Sequence, residues 1–429
     1  MNNYKHTIIC RIVIFVFFPT LLSGRVYTLN DCIEMAGRNN LSLRKTRESI
    51  SLSQAQKLLS YSEMLPYISA RSSVTRSSST FGTDPHADTY SSDVSLNQTV
   101  FDLSSIFDIK SSRIDVKESN ALYEAAVNEI EYSVAGFFYD LLKKKRLLSV
   151  KELGFKESEE NLRKTRFMYD VGTVSKVDLL RSEVVKNQAE LDLLMAKKDL
   201  ELSKANLAYI IGFDPALEFD VKEESIEVKD YSISDYDTLL ERVKEENPEV
   251  LAERLSVSSG KVQLSSTYCK FLPKLSLSGS YGYSGDKFTF AKEEWDENDS
   301  WSVGASVTLP LFTGFSRSAS IKQSKALLKM KELELSDAIA IKGIELKKAL
   351  LAIDEAEKTF TLAEKNLEKA ELGYRMTQEK YNLGAATILE LIDAEQDYEQ
   401  AQVTKISSYF DLLLATFYVT NLLGERIVD

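Results

Sequence analysis

The stretch YDVGTVSKVDLL at residues 169–180 has a partner in YNLGAATILELI at residues 381–392. Both open Tyr-x-x-Gly, and both place an acid six residues after the glycine, Asp178 in one and Glu390 in the other. The likeness continues without a gap, because a shift of 212 also superposes Glu183 on Glu395, Gln188 on Gln400, Asp199 on Asp411 and Gly212 on Gly424. Upstream, SLNQTVF at 95–101 matches SVTLPLF at 306–312 with a shift of 211, and MLPYIS matches FLPKLS with a shift of 207, which sets Pro66 over Pro273. The 429-residue chain is therefore two diverged copies of one unit of roughly 210 residues, too long for a solenoid repeat and suited to an internally duplicated domain.

Within each copy the period of apolar residues changes twice. The first begins YTLNDCIEMAGRNNLSL, where Thr28 and Asp31 form a capping box, and its helical period runs to about Leu65 with a break at 37–40. Pro66 and Pro273 then mark helix-to-strand junctions, since the residue before proline is pushed out of the helical region. Beyond them the period is two. In KLSLSGSYGYS, Leu275, Leu277, Tyr281 and Tyr283 share one face and Ser276, Ser278, Ser280 and Gly282 the other; in WSVGASVTLPLF, Trp301, Val303, Ala305, Val307, Leu309 and Leu311 share one face. Tyr90, Val94, Leu96 and Val100 do the same in the first copy. Each copy thus predicts one hairpin, at about 67–101 and about 274–312, closed by a polar loop (GTDPHAD; KEEWDEND).

Strands with one apolar, aromatic face and this length match membrane strands, which need roughly 9 to 11 residues. Four strands cannot close a barrel, open edges are not tolerated in lipid, and bacterial barrels start at about 8 strands, so the chain is expected to supply staves to an oligomer. After each hairpin comes a long helix, at about 104–168 and about 316–380, where glycine is scarce, proline is missing and long stretches, such as that between Gly343 and Gly373, hold neither. Some 65 residues reach on the order of 100 Å at 1.5 Å each, far more than a single core requires. The chain turns at 169–175 and 381–387, with Gly172 and Gly384 supplying the bend, and returns through helices whose apolar spacing and interspersed charge suit antiparallel coiled coil.

Composition narrows the function. A net charge of −12 disfavours nucleic acid, which needs a basic surface, and the run KKKR at 143–146 reads as a solvated helix face. Of two histidines, His6 falls in an apolar leader at 1–24 that reads as an export signal; this leaves His86 alone, too little for most zinc sites or for a histidine-based triad. Arg25 follows LLSG where a lipidated protein would carry cysteine, so no lipid anchor is expected there. Cys32 and Cys269 have no metal-binding spacing and read as two separate packed thiols. No metal, cofactor or enzymatic centre is expected, and acids such as Glu183 and Glu395 read as solvated surface or interhelical pairs.

The YTLNDCIEMAGRNN opening, both Leu-Pro junctions, both strands ending VF or LF and both glycine turns resemble the TolC family of outer-membrane efflux and secretion ducts over essentially the whole chain after the leader. Asn40-Leu41 stands where that family often has Asn-Pro, which the second copy keeps as Asn247-Pro248. The resemblance implies a mainly α fold with a β membrane section: a homotrimer whose six hairpins form a 12-stranded barrel in outer-membrane lipid, continued by a periplasmic tunnel of coiled-coil helices. It also implies a passive duct that meets a periplasmic adaptor and an inner-membrane transporter of the RND or ABC class. In the family the helix tips constrict the tunnel. By position Glu390 and Asp393 would be ring acids, Asp178 and Tyr381 would hold the closed mouth with Tyr169 beside them, and the turns at Gly172 and Gly384 would meet the adaptor. Ala386 stands where the family often has an arginine in that latch. The expected divisions are a signal at 1–24, a first repeat at 25–215, a linker at 216–235 and a second repeat at 236–429. The competing class is an exported coiled-coil scaffold spanning the envelope, which would need no lipid-facing hairpins.

Overall fold

The structure is a computed structural model that describes residues 26–77, 87–216, 218–223, 231–289 and 292–427; the expected leader, His86 with most of the first hairpin loop, and part of the linker lie outside the described residues. The first repeat comprises β1 (Val26–Tyr27), α1 (Leu29–Asn39), α2 (Leu41–Ser62), β2 (Tyr67–Ser77), β3 (Ala87–Phe101), α3 (Leu103–Asp170) and α4 (Lys176–Ile210). After β4 (Asp220–Val221) the second supplies α5 (Tyr236–Glu246), α6 (Pro248–Cys269), β5 (Lys274–Gly285), α7 (Lys292–Asn298), β6 (Asp299–Thr308), α8 (Ser316–Asn382) and α9 (Ile388–Leu422).

Two asparagines at the same place in the repeats decide where the first helices break. Asn40 ends α1 and caps α2, its Oδ1 accepting from the Ser42 and Leu43 amides at 2.9 and 3.2 Å. Asn247 does likewise for Glu249 and Val250 at 3.0 and 3.2 Å, with Pro248 at the first helical position, where a missing N–H costs nothing. Both side chains are buried, and their Nδ2 groups donate 2.9 Å bonds to the last-turn carbonyls of Ile210 and Leu422. One side chain thus satisfies orphan groups on two helices and ties the return helix to the start of its own repeat.

The four long strands form one antiparallel sheet in the order β2-β3-β5-β6, so the two hairpins lie side by side and β2 and β6 are the edges. Register aligns the expected faces. Ile68, Val94 and Tyr281 lie on the same face as Leu96, Leu277, Trp301, Val303 and Val307, all of them exposed. Opposite them is a hydroxyl-rich face, where Ser69 meets Ser95 at 2.9 Å, Ser73 meets Ser91 at 2.8 Å and Ser280 meets Ser302 at 2.9 Å. Two details differ from the alternation. β6 stops at Thr308, because Pro310 has no N–H for a ladder, so Leu309 and Leu311 lie beyond the strand. The KEEWDEND loop is helical as α7, and Trp295 from it stacks on Tyr283 with ring centroids 5.4 Å apart, burying that tyrosine at the end of the apolar face.

The helices pack as hairpins, α3 with α4 and α8 with α9, joined to each other by α6, which lies on both α3 and α8, and where α9 lies on α3. Halfway along, a core of Val134, Phe138, Leu141, Leu207, Phe410 and Phe417 closes under α1 and the β1–β4 pair, and a second of Leu239, Val243, Leu346, Leu350 and Leu422 closes under α5. The basic run is not simply solvated. Lys143, Lys144, Lys145 and Arg146 are half-exposed and pair with Asp411, Asp199, Asp220 and Glu223, fastening α3 to α9, α4 and the β4 segment at the level of that core. Cys32 and Cys269 are both free thiols; burial pushes Cys32 up to about 12, and an un-ionised thiol of this kind is inert.

Candidate functional site at the hairpin tips

Four helix ends are built alike. Gly172, Gly212, Gly384 and Gly424 have φ of 79, 77, 72 and 74°, the left-handed conformation that ends a helix in a Schellman motif. At the two tips the bonds are nearly superimposable: Thr173 N–H donates to the Met168 carbonyl at 2.8 Å and Ala385 N–H to the Lys380 carbonyl at 2.8 Å. Each return helix then restarts on a capping box. Ser175 Oγ and Thr387 Oγ1 accept from the Asp178 and Glu390 amides at 3.2 Å each, and the acids reach back to the Ser175 and Thr387 amides at 3.1 and 2.7 Å.

These bonds give Asp178 and Glu390 a local role. The Ser175 hydroxyl and amide hold Asp178 below the usual carboxylate range, and the Thr387 amide and hydroxyl do the same for Glu390. Glu390 is exposed, as is Asp393, one helical turn on from it on the same side of α9, whereas Asp178 is half-buried. Tyr381 is turned inward: it is buried with Tyr374, Ile388, Leu391 and Ile392, and its hydroxyl lies 3.5 Å from Thr165 Oγ1 and 3.7 Å from Met168 Sδ of the other hairpin. Tyr169 is partly exposed beneath Lys176, whose Nζ sits 5.3 Å from the ring centroid. Ala386 packs against the Tyr381 cluster, so the aliphatic position adds to the core rather than to a polar latch.

A single tip therefore brings Tyr381 and the first hairpin together through packing, and leaves Glu390 and Asp393 facing solvent with Asp178 half-buried in its capping box. Glu183 forms an interhelical pair with Arg166 at 2.9 Å, as the pattern suggested. Glu395, its counterpart, is neither solvated nor ion-paired: it is 8 % exposed, accepts from Asn161 Nδ2 at 3.0 Å, and burial together with Glu157 and Glu399 pushes it up to about 7. A pattern of spacing could not distinguish the two, since only the tertiary packing of α9 on α3 covers one of them. Among the described residues, no group of His, Cys, Asp or Glu is arranged to hold a metal ion, and no helix is long and apolar enough to cross a membrane.

A family model described as outer membrane efflux protein matches residues 32–213 and 239–425, most of each repeat. The chain belongs to that family. This efflux protein is 22% identical to the outer membrane efflux protein BepC of Brucella suis, over 96% of its own length and 89% of the relative's. It is 21% identical to the outer membrane protein TolC of Vibrio cholerae, over 79% and 77% of the two chains. Among solved structures, the CmeC outer membrane channel of Campylobacter jejuni superposes with a TM-score of 0.82 at 17% identity, covering 94% of this efflux protein and 87% of that chain. The fold is thus the TolC-like one implied by the duplicated hairpins, and the efflux protein resides in the outer membrane.

Proposed function

We propose that three copies of this outer-membrane efflux protein close a 12-stranded barrel and a helical tunnel, forming a passive exit duct without chemistry of its own. The carrying observation is the four-stranded sheet, whose apolar face is largely exposed, Tyr283 under Trp295 apart, while β2 and β6 end it as open edges. Lipid satisfies the first feature and neighbouring copies satisfy the second. Further support comes from α4, where Val177, Val184 and Leu191 and then Met195, Leu202 and Tyr209 recur at sevens, exposed along a helix that one copy leaves uncovered. An envelope-spanning scaffold would have a use for that stripe but none for an exposed apolar sheet.

In this duct the tips are the mouth. Substrate arrives from an inner-membrane transporter of the RND or ABC class through a periplasmic adaptor, which meets the turns at Gly172 and Gly384. Glu390 and Asp393 from three copies form acidic rings whose summed potential favours cations, while Asp178 caps its helix and Tyr381, with Tyr169, packs the hairpins shut. The tight turns and capping boxes make these positions rigid, as a constriction needs. In planar bilayers the double variant Glu390→Ala and Asp393→Ala is expected to lose cation preference and to resist block by multivalent cations. Unchanged selectivity and block would remove the ring assignment.

A further inference from the structure

Above the tips, the two hairpins meet across a patch of polar and ionisable groups that neither the turns nor the rings require. From α3 come Lys151, Glu157 and Asn161, from α4 Asp192, from α8 Tyr374, and from α9 Glu395, Tyr398 and Glu399. Together these groups line or adjoin a cleft of about 540 Å³ between the hairpins. Lys151 Nζ donates to Asp192 at 3.1 Å and also to Glu399, so one ammonium is shared by two carboxylates. Gly154 leaves room for Glu399, since a Cβ there would stand 3.0 Å from its Oε2. Glu157 is engaged by the hydroxyl of Tyr374, which is itself stacked on Tyr398 at 5.5 Å. Asp397 also lines the cleft, so five acids surround one base, and Glu395 is the most buried of them, with the Asn161 amide as its hydrogen-bond partner.

We propose that Glu395 is a proton-operated clasp between the two hairpins: protonated, it lets α9 lie flat on α3, and ionised, it drives the hairpins apart near the mouth. The clasp regulates the tips and so rests on the duct reading for its consequence, though not for its chemistry. Glu157 and Glu399 repel a charge at Glu395 from both sides, and Lys151 is already shared between Glu399 and Asp192. An ionised Glu395 therefore gains more from water than from its packed site. It lies five residues beyond Glu390, so a separation here moves the acidic tip of α9 with it.

The sign follows from linkage. Glu395 rises from the 4.5 of an unburied glutamate to about 7 when packed. The packed arrangement therefore holds more protons across that window, is most favoured below about pH 4.5, and weakens as pH rises toward 7. Hydrogen–deuterium exchange on the intact detergent-solubilised protein, corrected for the intrinsic pH dependence of exchange, reads the opening directly. Protection of 390–399 and 155–162 is expected to fall by about tenfold or more between pH 5 and pH 7.5. That of 134–142 in the central core is expected to stay constant. Glu395→Gln, neutral and of the same shape, should remove most of the change, and Glu157→Gln should move its midpoint to lower pH. No pH dependence in the wild-type segments, or full dependence retained in Glu395→Gln, overturns the clasp. Loss of conductance by the wild-type protein would instead count against the duct, and exchange does not depend on it.

Discussion

Glycines 172, 212, 384 and 424 share one backbone conformation but not one neighbourhood. Gly172 and Gly384 have nothing within 4 Å of where a Cβ would sit. A Cβ at Gly212 would lie 2.6 Å from that of Asn39, and at Gly424 2.9 Å from the Glu246 carbonyl. Alanine at the tips therefore carries only the left-handed penalty, about 1–2 kcal/mol, whereas alanine at 212 or 424 adds overpacking against the end of α1 or α5, for roughly 2–4 kcal/mol in all. Thermal unfolding in detergent is expected to rank the variants in that order, and equal losses would mean the return-helix ends are not seated as described. The turns were legible because a repeated glycine with an acid six residues on is a local signal. The burial of Glu395 was not, because its spacing from Gly384 equals that of the half-exposed, ion-paired Glu183 from Gly172 and only long-range packing separates them.

At the scale of elements, the two asparagine ties explain why each return helix ends where its repeat begins. Asn40→Ala and Asn247→Ala each remove an N-cap and orphan a helix-end carbonyl, so each is expected to lower stability by about 2 kcal/mol. Hydrogen exchange at the starts of α2 and α6 should reveal the loss there before it appears elsewhere. The sheet's outward face has its own test. The chain has two tryptophans, Trp295 on α7 and Trp301 on β6. With Trp295 replaced by Phe, the fluorescence of Trp301 is expected to be quenched by brominated lipid acyl chains, and an unquenched Trp301 would place that face away from lipid. Alternation predicted this face because a strand keeps its period whatever it packs against. It could not predict α7, seven residues of mixed charge whose ordering depends on Trp295 finding Tyr283. Nor could it predict the β1–β4 pair, in which two residues at 26–27 meet two at 220–221.

For the whole molecule, duplication lets one unit of helix, hairpin, long helix and return helix be used twice, so a single chain presents two strand hairpins at one end and two helix tips at the other. Length was readable because 68 and 67 residues of helix run unbroken in α3 and α8. What the chain cannot satisfy alone, the edges β2 and β6 and the stripe on α4, is what identical neighbours would cover in the proposed trimer. Native mass spectrometry of the detergent-extracted protein tests this most directly. Three chains per particle is the expected mass, supplying 12 strands and six tips around one mouth. A stable monomer that stays in solution without detergent would contradict the duct.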